Sequence, residues 1–371
     1  MSLRDLLENL PIPILQAPML GASTPQMALN VSRAGGMGFL AAARLAPKEI
    51  GPAVAALRAG TGAPFGVNLL MTRPVTPDAA ELDRALARLA PWYAALGAAL
   101  PEAPNRFAPD CRAQLQAVIE AAPPVASFAF DLLEPGQVQA LHEAGVLVVG
   151  TATTVAEARA WAEAGADGIC AQGSEAGGHR GHFLAETEAS LVGTMALVAT
   201  IRQATELPVI AAGGVMDGRG VAAALALGAA AAQMGTAFLL SDQTAISAPW
   251  RRALETAGDD PTRLTRALTG RHARGIENRF MREMRAVEDD VPAYPVQNRL
   301  TQPLREAAAR AGDPQMLSLW AGQAVKLAGP GDAGTLVQRW WREAGEAAAD
   351  VARRTGRQVR HSPAATAASK A

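Results

Sequence analysis

Eight short apolar runs, separated by stretches of helical pattern, constrain the fold of this chain more than any other feature. They cover residues 14–19, 38–43, 65–70, 125–130, 146–152, 168–173, 208–213 and 231–239. Their apolar character is near-continuous rather than alternating, as in parallel strands buried on both faces. Helix candidates lie between them. One opens at Thr24-Pro25-Gln26, an N-cap followed by proline in the first turn. Others cover 47–59, 110–121, 135–144, 154–164, 191–205 and 217–227. Gly35, Gly145, Gly165 and Gly228 stand where a helix must stop and turn back into a strand, the position that favours glycine. Eight such repeats predict an α/β chain folded as a closed (β/α)8 TIM barrel. An open doubly wound sheet is the alternative. The absence of Gly-x-Gly-x-x-Gly after the first strand weakens a dinucleotide-binding version of it.

Two regions break the repeat. Residues 74–109 are long for one connection, and an extra helix is expected over 77–89. From 241 to 314 the pattern turns helical, loop-like and charged, which predicts a smaller, mostly helical second domain covering the barrel mouth. Residues 316–345 read as helical again. The expected barrel is therefore 10–240, completed by 315–350, and the Ala/Ser/Thr/Pro-rich tail 357–371 is expected to be disordered.

Composition narrows the partners. With 34 Lys plus Arg against 35 Asp plus Glu, no basic surplus exists to neutralise nucleic-acid phosphates. Cys111 and Cys170 are too few for a disulfide framework, which fits a reducing, cytoplasmic compartment. The N-terminus carries Asp5 and Glu8 and lacks signal-peptide character. The most apolar later stretch, 221–234, is interrupted by Gly228 and too short to span a bilayer, so no membrane association is expected.

A barrel of this kind places its active site at the C-terminal ends of the strands, with phosphate bound after the last two. Gly213 and Gly214, followed by Asp217-Gly218-Arg219, and the run Gln233-Met234-Gly235-Thr236 stand at those two ends. Backbone N–H groups, a threonine hydroxyl and a helix N-terminus make an anion cradle; two ordinary tight turns are the plainer reading. Ala17, Pro18 and Met19 after the first strand, Asn68 in the third and Gln172 at the end of the sixth offer backbone and amide groups to the edge of a flat aromatic cofactor. The loop from Ala171 to His182 is dense in glycine (Gly173, Gly177, Gly178, Gly181) and carries Glu175 and His179. A histidine there is placed for proton transfer near neutral pH, although a solvated loop with an incidental histidine has the same spacing. No metal site is evident, because a Gly-rich loop does not fix His179 and His182 and no cysteine cluster adds ligands. His142 and His272 read as surface or hydrogen-bonded residues. No Gly-x-Ser-x-Gly elbow occurs.

These segments resemble the nitronate monooxygenases, formerly called 2-nitropropane dioxygenases. The resemblance is carried by Gln16-Ala-Pro-Met19, Ala34-Gly-Gly-Met-Gly38, Phe65-Gly-Val-Asn68, Gln172-Gly-Ser-Glu-Ala-Gly-Gly-His-Arg-Gly181, Ala212-Gly-Gly-Val-Met-Asp-Gly-Arg219, Gln233-Met-Gly-Thr236 and Trp320-Ala-Gly-Gln323. The Glu-Ala-Gly-Gly-His-x-Gly string also occurs in FMN-dependent enoyl-acyl-carrier-protein reductases. Its combination with Asp217-Gly-Arg219 and the Trp320 segment favours the class I nitronate monooxygenases. The resemblance implies a barrel holding non-covalent FMN beneath a smaller helical domain, with His179 as catalytic base. Asn68, Gln172, Gly177, Gly214 and Gln233 to Thr236 are implied to bind FMN; Ala17, Pro18, Met19, Gly178 and Gly213 complete the candidate set. The implied reaction converts an alkyl nitronate and O2 to a carbonyl compound and nitrite. A base is needed only for a neutral nitroalkane, since a nitronate arrives deprotonated. Two alternatives are an FMN-dependent NAD(P)H reductase of enoyl thioesters or quinones, and a non-catalytic flavin-binding barrel. A homodimer is compatible with either enzyme.

Overall fold

The computed structural model describes residues 1–360 apart from Pro74, Asn105 and Ala185. Each apolar run contributes one strand: β1 (Ile14–Gln16), β2 (Gly38–Ala41), β3 (Phe65–Leu70), β4 (Val125–Ala129), β5 (Leu147–Ala152) and β6 (Gly168–Gln172). After the two-residue β7 (Gly178–His179), which belongs to another sheet, come β8 (Val209–Ala212) and β9 (Ala231–Met234). The run over 231–239 is shorter as a strand than expected, because a 3-10 turn, Thr236–Phe238, follows it. The parallel order β1-β9-β8-β6-β5-β4-β3-β2 closes through Met37: its N–H donates to Ile14 O at 3.1 Å, and its carbonyl accepts from Gln16 N at 3.0 Å. The fold is a (β/α)8 barrel. Gly35, Gly145, Gly165 and Gly228 all have positive φ, so each expected helix stop occupies the left-handed region.

One helix was not expected. Ser2 and Asp5 form a reciprocal cap (Ser2 Oγ accepting from Asp5 N at 3.1 Å, the Asp5 carboxylate from Ser2 N at 3.0 Å) and start the helix Leu3–Glu8. It presses Leu3, Leu6 and Leu7 against Leu15, Phe39 and Ile210 at the N-terminal end of the barrel. A Cβ on Gly168 would lie 2.4 Å from Leu3 Cδ2, so a larger residue at this strand start would push the Leu3 side chain aside. With that end filled, the open end of the barrel is its C-terminal mouth.

The cover over the mouth is built from two separated stretches. Helix Ala79–Ala95, within the long 74–109 connection, shares one apolar core with residues from 239 to 325. The Tyr93 hydroxyl donates to Leu300 O at 2.6 Å and accepts from Leu304 N at 3.2 Å, locking that helix to Val296–Ala311. The cover is not purely helical. Strands β10 (Thr262–Thr265) and β11 (Ala273–Ile276) pair antiparallel, and β11 also pairs with β7. The helical pattern expected from residue 316 begins only at Ala333. Residues 317–332 are mostly irregular, broken by Gly322 and by Gly329-Pro330-Gly331, and they enter the mouth. Helix Ala333–Arg360 then packs on Gly218–Ala226 and Pro25–Arg33, so closely that a Cβ on Gly218 would meet Trp340 O at 2.3 Å. That helix includes the first four residues of the expected tail; the rest, 361–371, lies outside the described residues. Among the described residues no helix is long and apolar enough to cross a membrane.

Candidate active site

A cavity of about 880 Å³ lies between the barrel mouth and the cover. Of the predicted site residues, Ala17, Pro18, Met19, Asn68, Gln172, Gly177, Gly178, His179, Gly213, Gly214, Gln233, Gly235 and Thr236 all line it. Met234 does not. Its side chain alternates to the other face of β9 and is buried in the barrel core, and its carbonyl accepts from Ala17 N at 2.8 Å. Ala17 N is therefore engaged, as is Met19 N, which donates to Ser23 Oγ at 3.0 Å. The first-strand stretch forms a wall of the cavity rather than the row of donors its sequence suggested.

The glycine-rich loop is ordered by hydrogen bonds to its own backbone. β7 pairs with β11 in the register Ala273↔His179, which fixes the histidine on a sheet edge. The Gln172 amide donates to His179 O at 3.0 Å and accepts from Gly181 N at 2.8 Å. Its amide is engaged at both ends, so its side chain positions the loop. Glu175 caps the helix Thr194–Ala204 from outside, accepting from Thr194 N at 2.9 Å and Thr194 Oγ1 at 2.8 Å. Gly177 must be glycine, since a Cβ there would lie 2.5 Å from the backbone of Ala321 and Gly322.

Four charged residues that the sequence reading did not use hold this loop. Arg180 is fully buried and donates to Gly173 O, Gln172 O and Ser190 O at 2.7, 3.0 and 2.9 Å. Arg271 donates to Arg180 O at 3.0 Å and to His182 O, and Arg274 donates to Ser174 O at 3.0 Å. Glu157, also fully buried, accepts from Thr153, Phe183 N and Leu184 N. Burial opposes its charge, but these hydrogen bonds prevail and hold its carboxyl below the ordinary range.

His179 Nε2 lies 2.9 Å from Thr269 Oγ1, and the Thr269 hydroxyl donates its one proton to Arg271 O at 3.0 Å. Threonine must then accept from the imidazole, which puts the ring proton on Nε2 and a lone pair on Nδ1. Phe130, Tyr294 and Trp320 enclose the imidazole, each with its ring centre 5.6 Å away. Phe130 holds φ of 84°, rare for a residue with a Cβ, and the Arg271 guanidinium stands 4.1 Å over its ring. A positive-φ phenylalanine next to the histidine is the kind of local strain that collects at functional sites. Burial first, then the charges of Arg271, Arg305 and Arg44, push the His179 pKa down to about 3. The value near 6.5 expected for a free imidazole does not apply here, and His179 is neutral throughout the physiological range.

His182 is pushed down to about 4, again mainly by burial, and His272 is lowered for the same reason. These shifts make the fold acid-sensitive. As pH drops below about 6.5 the unfolded chain protonates all three imidazoles, while the folded chain resists. The unfolded state then binds more protons, so stability falls with falling pH. The midpoint of thermal unfolding is expected to decrease steadily from pH 7 to pH 4. His182→Asn is expected to flatten that slope; an unchanged slope in the variant would contradict it.

With the geometry in place, comparison with known proteins decides the family. The sequence matches the family described as nitronate monooxygenase over residues 3–342. The chain belongs to the nitronate monooxygenase family. A Staphylococcus aureus protein named "Probable nitronate monooxygenase" is 40% identical over 326 residues, covering 88% of this chain and 92% of that one. The solved structure of a nitroalkane oxidase from Streptomyces ansochromogenes superposes with a TM-score of 0.87 at 42% identity, covering 94% of this chain and 99% of that chain. FabK from Thermotoga maritima follows the same fold with a TM-score of 0.73 at 29% identity, covering 96% and 99%. As a nitronate monooxygenase family member the chain is an oxidoreductase, and its barrel fold is shared with these solved structures.

Proposed function

We propose that this chain is an FMN-dependent nitronate monooxygenase that oxidises alkyl nitronates with O2 to carbonyl compounds and nitrite. The observation that carries the reading is the charge of the cavity around His179. Arg44, Arg271 and Arg305 all act on that imidazole, and among the described residues none of the three has a carboxylate within ion-pair distance. Arg271 and Arg305 are partly buried and Arg44 is exposed at the cavity wall; partly buried cations without an ion-pair partner favour an anionic occupant. A nitronate is such an anion, and it does not require a strong base. A neutral His179 with a free Nδ1 is suited to accept a hydrogen bond or to take a proton in passing, and poorly suited to keep one.

The residues present fit FMN. Gly214 has φ of 73°, and a Cβ there would press on Glu175 Cβ at 3.2 Å. Among the described residues the N–H groups of Gly214, Gly235 and Thr236 have no protein acceptor, and helix Gly218–Ala226 starts alongside. Free N–H donors beside a helix N-terminus in one cavity support a phosphate site there. Asn68 donates to Ser127 O and Oγ at 3.1 and 3.0 Å, leaving its carbonyl oxygen for a ring N–H. Gln233 Oε1 accepts from the Cys170 thiol at 3.0 Å, leaving the amide N–H groups for a ring carbonyl. Burial pushes that thiol up to about 12, so Cys170 is a donor and not a nucleophile. Bound FMN supplies the electron transfer between nitronate and oxygen, while the protein orients both and the cover excludes water. Two unpaired cysteines go with a cytoplasmic location.

Mass spectrometry of the heat-released chromophore tests the cofactor, with FMN expected and FAD contradicting the reading. Gly214→Val combines a β-branched side chain with positive φ and narrows the cradle. It is expected to weaken FMN binding by about tenfold or more with the barrel still folded. Unchanged flavin retention would remove Gly214 from the phosphate site. The Glu175-Ala-Gly-Gly-His-Arg-Gly181 string, which resembles that of FMN-dependent enoyl-acyl-carrier-protein reductases, favours a second reading, an FMN-dependent NAD(P)H reductase, which anaerobic oxidation of NADH would reveal.

A further inference from the structure

The chain has two tyrosines, and their hydroxyls are treated in opposite ways. The hydroxyl of Tyr93 both donates and accepts within the cover core. Tyr294 sits at the start of helix Val296–Ala311 and lines the cavity. Its ring packs edge-on against His179 at 5.6 Å and against Phe130 at 5.5 Å, so its position is held by its ring. Among the described residues its hydroxyl has no hydrogen-bond partner, and it is not one of the polar atoms sealed away from the cavity. A polar group held in an apolar cage generally has a partner. Here the open side is the cavity, so a partner for the hydroxyl can come only from what enters that cavity.

The chemistry of that partner follows from the surroundings. The charges of the same three arginines act on Tyr294 and His179: Arg271 stacked over Phe130, and Arg44 and Arg305 in the cavity wall. Arg271 and Arg305 are held in place by carbonyl and side-chain oxygens, none from a carboxylate: Arg271 by Arg180 O and His182 O, Arg305 by Asn298 and Ser318. Arg44 lines the same cavity from the loop after β2, with one guanidinium nitrogen 3.5 Å from where a Cβ of Gly21 would stand. Burial, which the arginines only partly oppose, raises the Tyr294 pKa, so the phenol stays protonated at neutral pH and acts as a donor. A donor in a positive field selects an anionic oxygen.

We propose that the Tyr294 hydroxyl donates a hydrogen bond to an anionic oxygen of the bound substrate, and so selects small planar oxyanions over their neutral counterparts. The identity of that anion as a nitronate rests on the proposed function; the donor itself does not. Removing one hydrogen bond to a charged acceptor weakens binding by about tenfold to a hundredfold.

The test titrates the FMN-loaded protein with inorganic nitrate, a planar oxyanion with no reactive C–H bond, by isothermal calorimetry. Wild type is expected to bind nitrate, and Tyr294→Phe to bind it about tenfold or more weakly with an unchanged melting temperature. In steady state, KM for propyl nitronate rises by a similar factor while kcat changes less. Equal nitrate affinity in wild type and Tyr294→Phe would overturn the proposal, as would no nitrate binding by wild type. Nitrite release by wild type is measured separately. Its absence would sink the nitronate reading while the nitrate titration still decides the role of Tyr294.

Discussion

Replacing His179 with asparagine is expected to lower turnover of neutral nitroethane by about 10²–10⁴-fold, the scale on which general-base catalysis is lost. Turnover of pre-formed ethyl nitronate is expected to fall much less, because its proton is already gone. Asparagine keeps a polar side chain of similar size but has no basic lone pair to match Nδ1. The pH profile provides a second reading of the same claim. With its pKa pushed down to about 3, His179 does not titrate near 6.5, so kcat/KM for nitroethane should show no acid limb there. A limb near 6.5 would mean that the cavity does not hold the imidazole neutral. Equal large losses on both substrates would assign His179 to binding the substrate instead of accepting its proton.

The second large effect is expected from Arg180→Met. Methionine fills much of the arginine volume but leaves Gln172 O and Ser190 O without their donor in a buried loop, while Gly173 O keeps only the Ala176 N–H at 3.2 Å. Each buried unsatisfied carbonyl costs about 1–3 kcal/mol. Loss of a cation whose pKa burial already pushes down to about 10 offsets part of this. A net destabilisation of about 3 kcal/mol is expected from urea unfolding, together with weaker flavin retention, because the same carbonyls shape the loop behind His179. A change below about 1 kcal/mol would show that the loop holds its form without Arg180.

The barrel was legible because its signals are local and redundant. Strands buried on both faces read as unbroken apolar runs, and the positive-φ glycines Gly35, Gly145, Gly165 and Gly228 mark where each unit turns. What was missed had a weaker or conflicting local signal. Helix Leu3–Glu8 is only six residues, too short for periodicity, although Ser2-x-x-Asp5 before Leu6-Leu7 was a cap signature available to be read. Strands β10 and β11 carry Arg263, Arg266, Arg271 and Arg274 in or beside them, so they resembled a charged helical stretch. Their charge has a tertiary reason: Arg271 and Arg274 bond to carbonyls of the histidine loop. The expected helix from 316 ignored Gly322 and Gly329-Pro330-Gly331, which break it and free Trp320 to face His179.

The site was legible only in part, for the same reason. Motif glycines and His179 sit in contiguous strings, and they meet in the cavity. The cage around the histidine comes from three distant segments, through Phe130, Tyr294 and Trp320, and no spacing in the sequence joins them. Gln172 was expected at the cofactor edge because it ends a strand, yet its amide turns back to His179 O and Gly181 N. Met234 fell to the core because neighbouring residues on a strand point to opposite faces.

The central claim is that the cavity turns an anionic nitronate and oxygen into a carbonyl compound and nitrite without a nicotinamide donor. The most direct test mixes the FMN-loaded protein with propyl nitronate in air-saturated buffer lacking NADH and NADPH, following nitrite and dissolved oxygen together. The expected result is nitrite and propanal in equal amounts with one O2 consumed for every two nitronates, the ratio that balances when no other reductant is present. No nitrite above the protein-free rate, together with anaerobic bleaching of the flavin by NADH, would contradict it and identify the chain as a reductase.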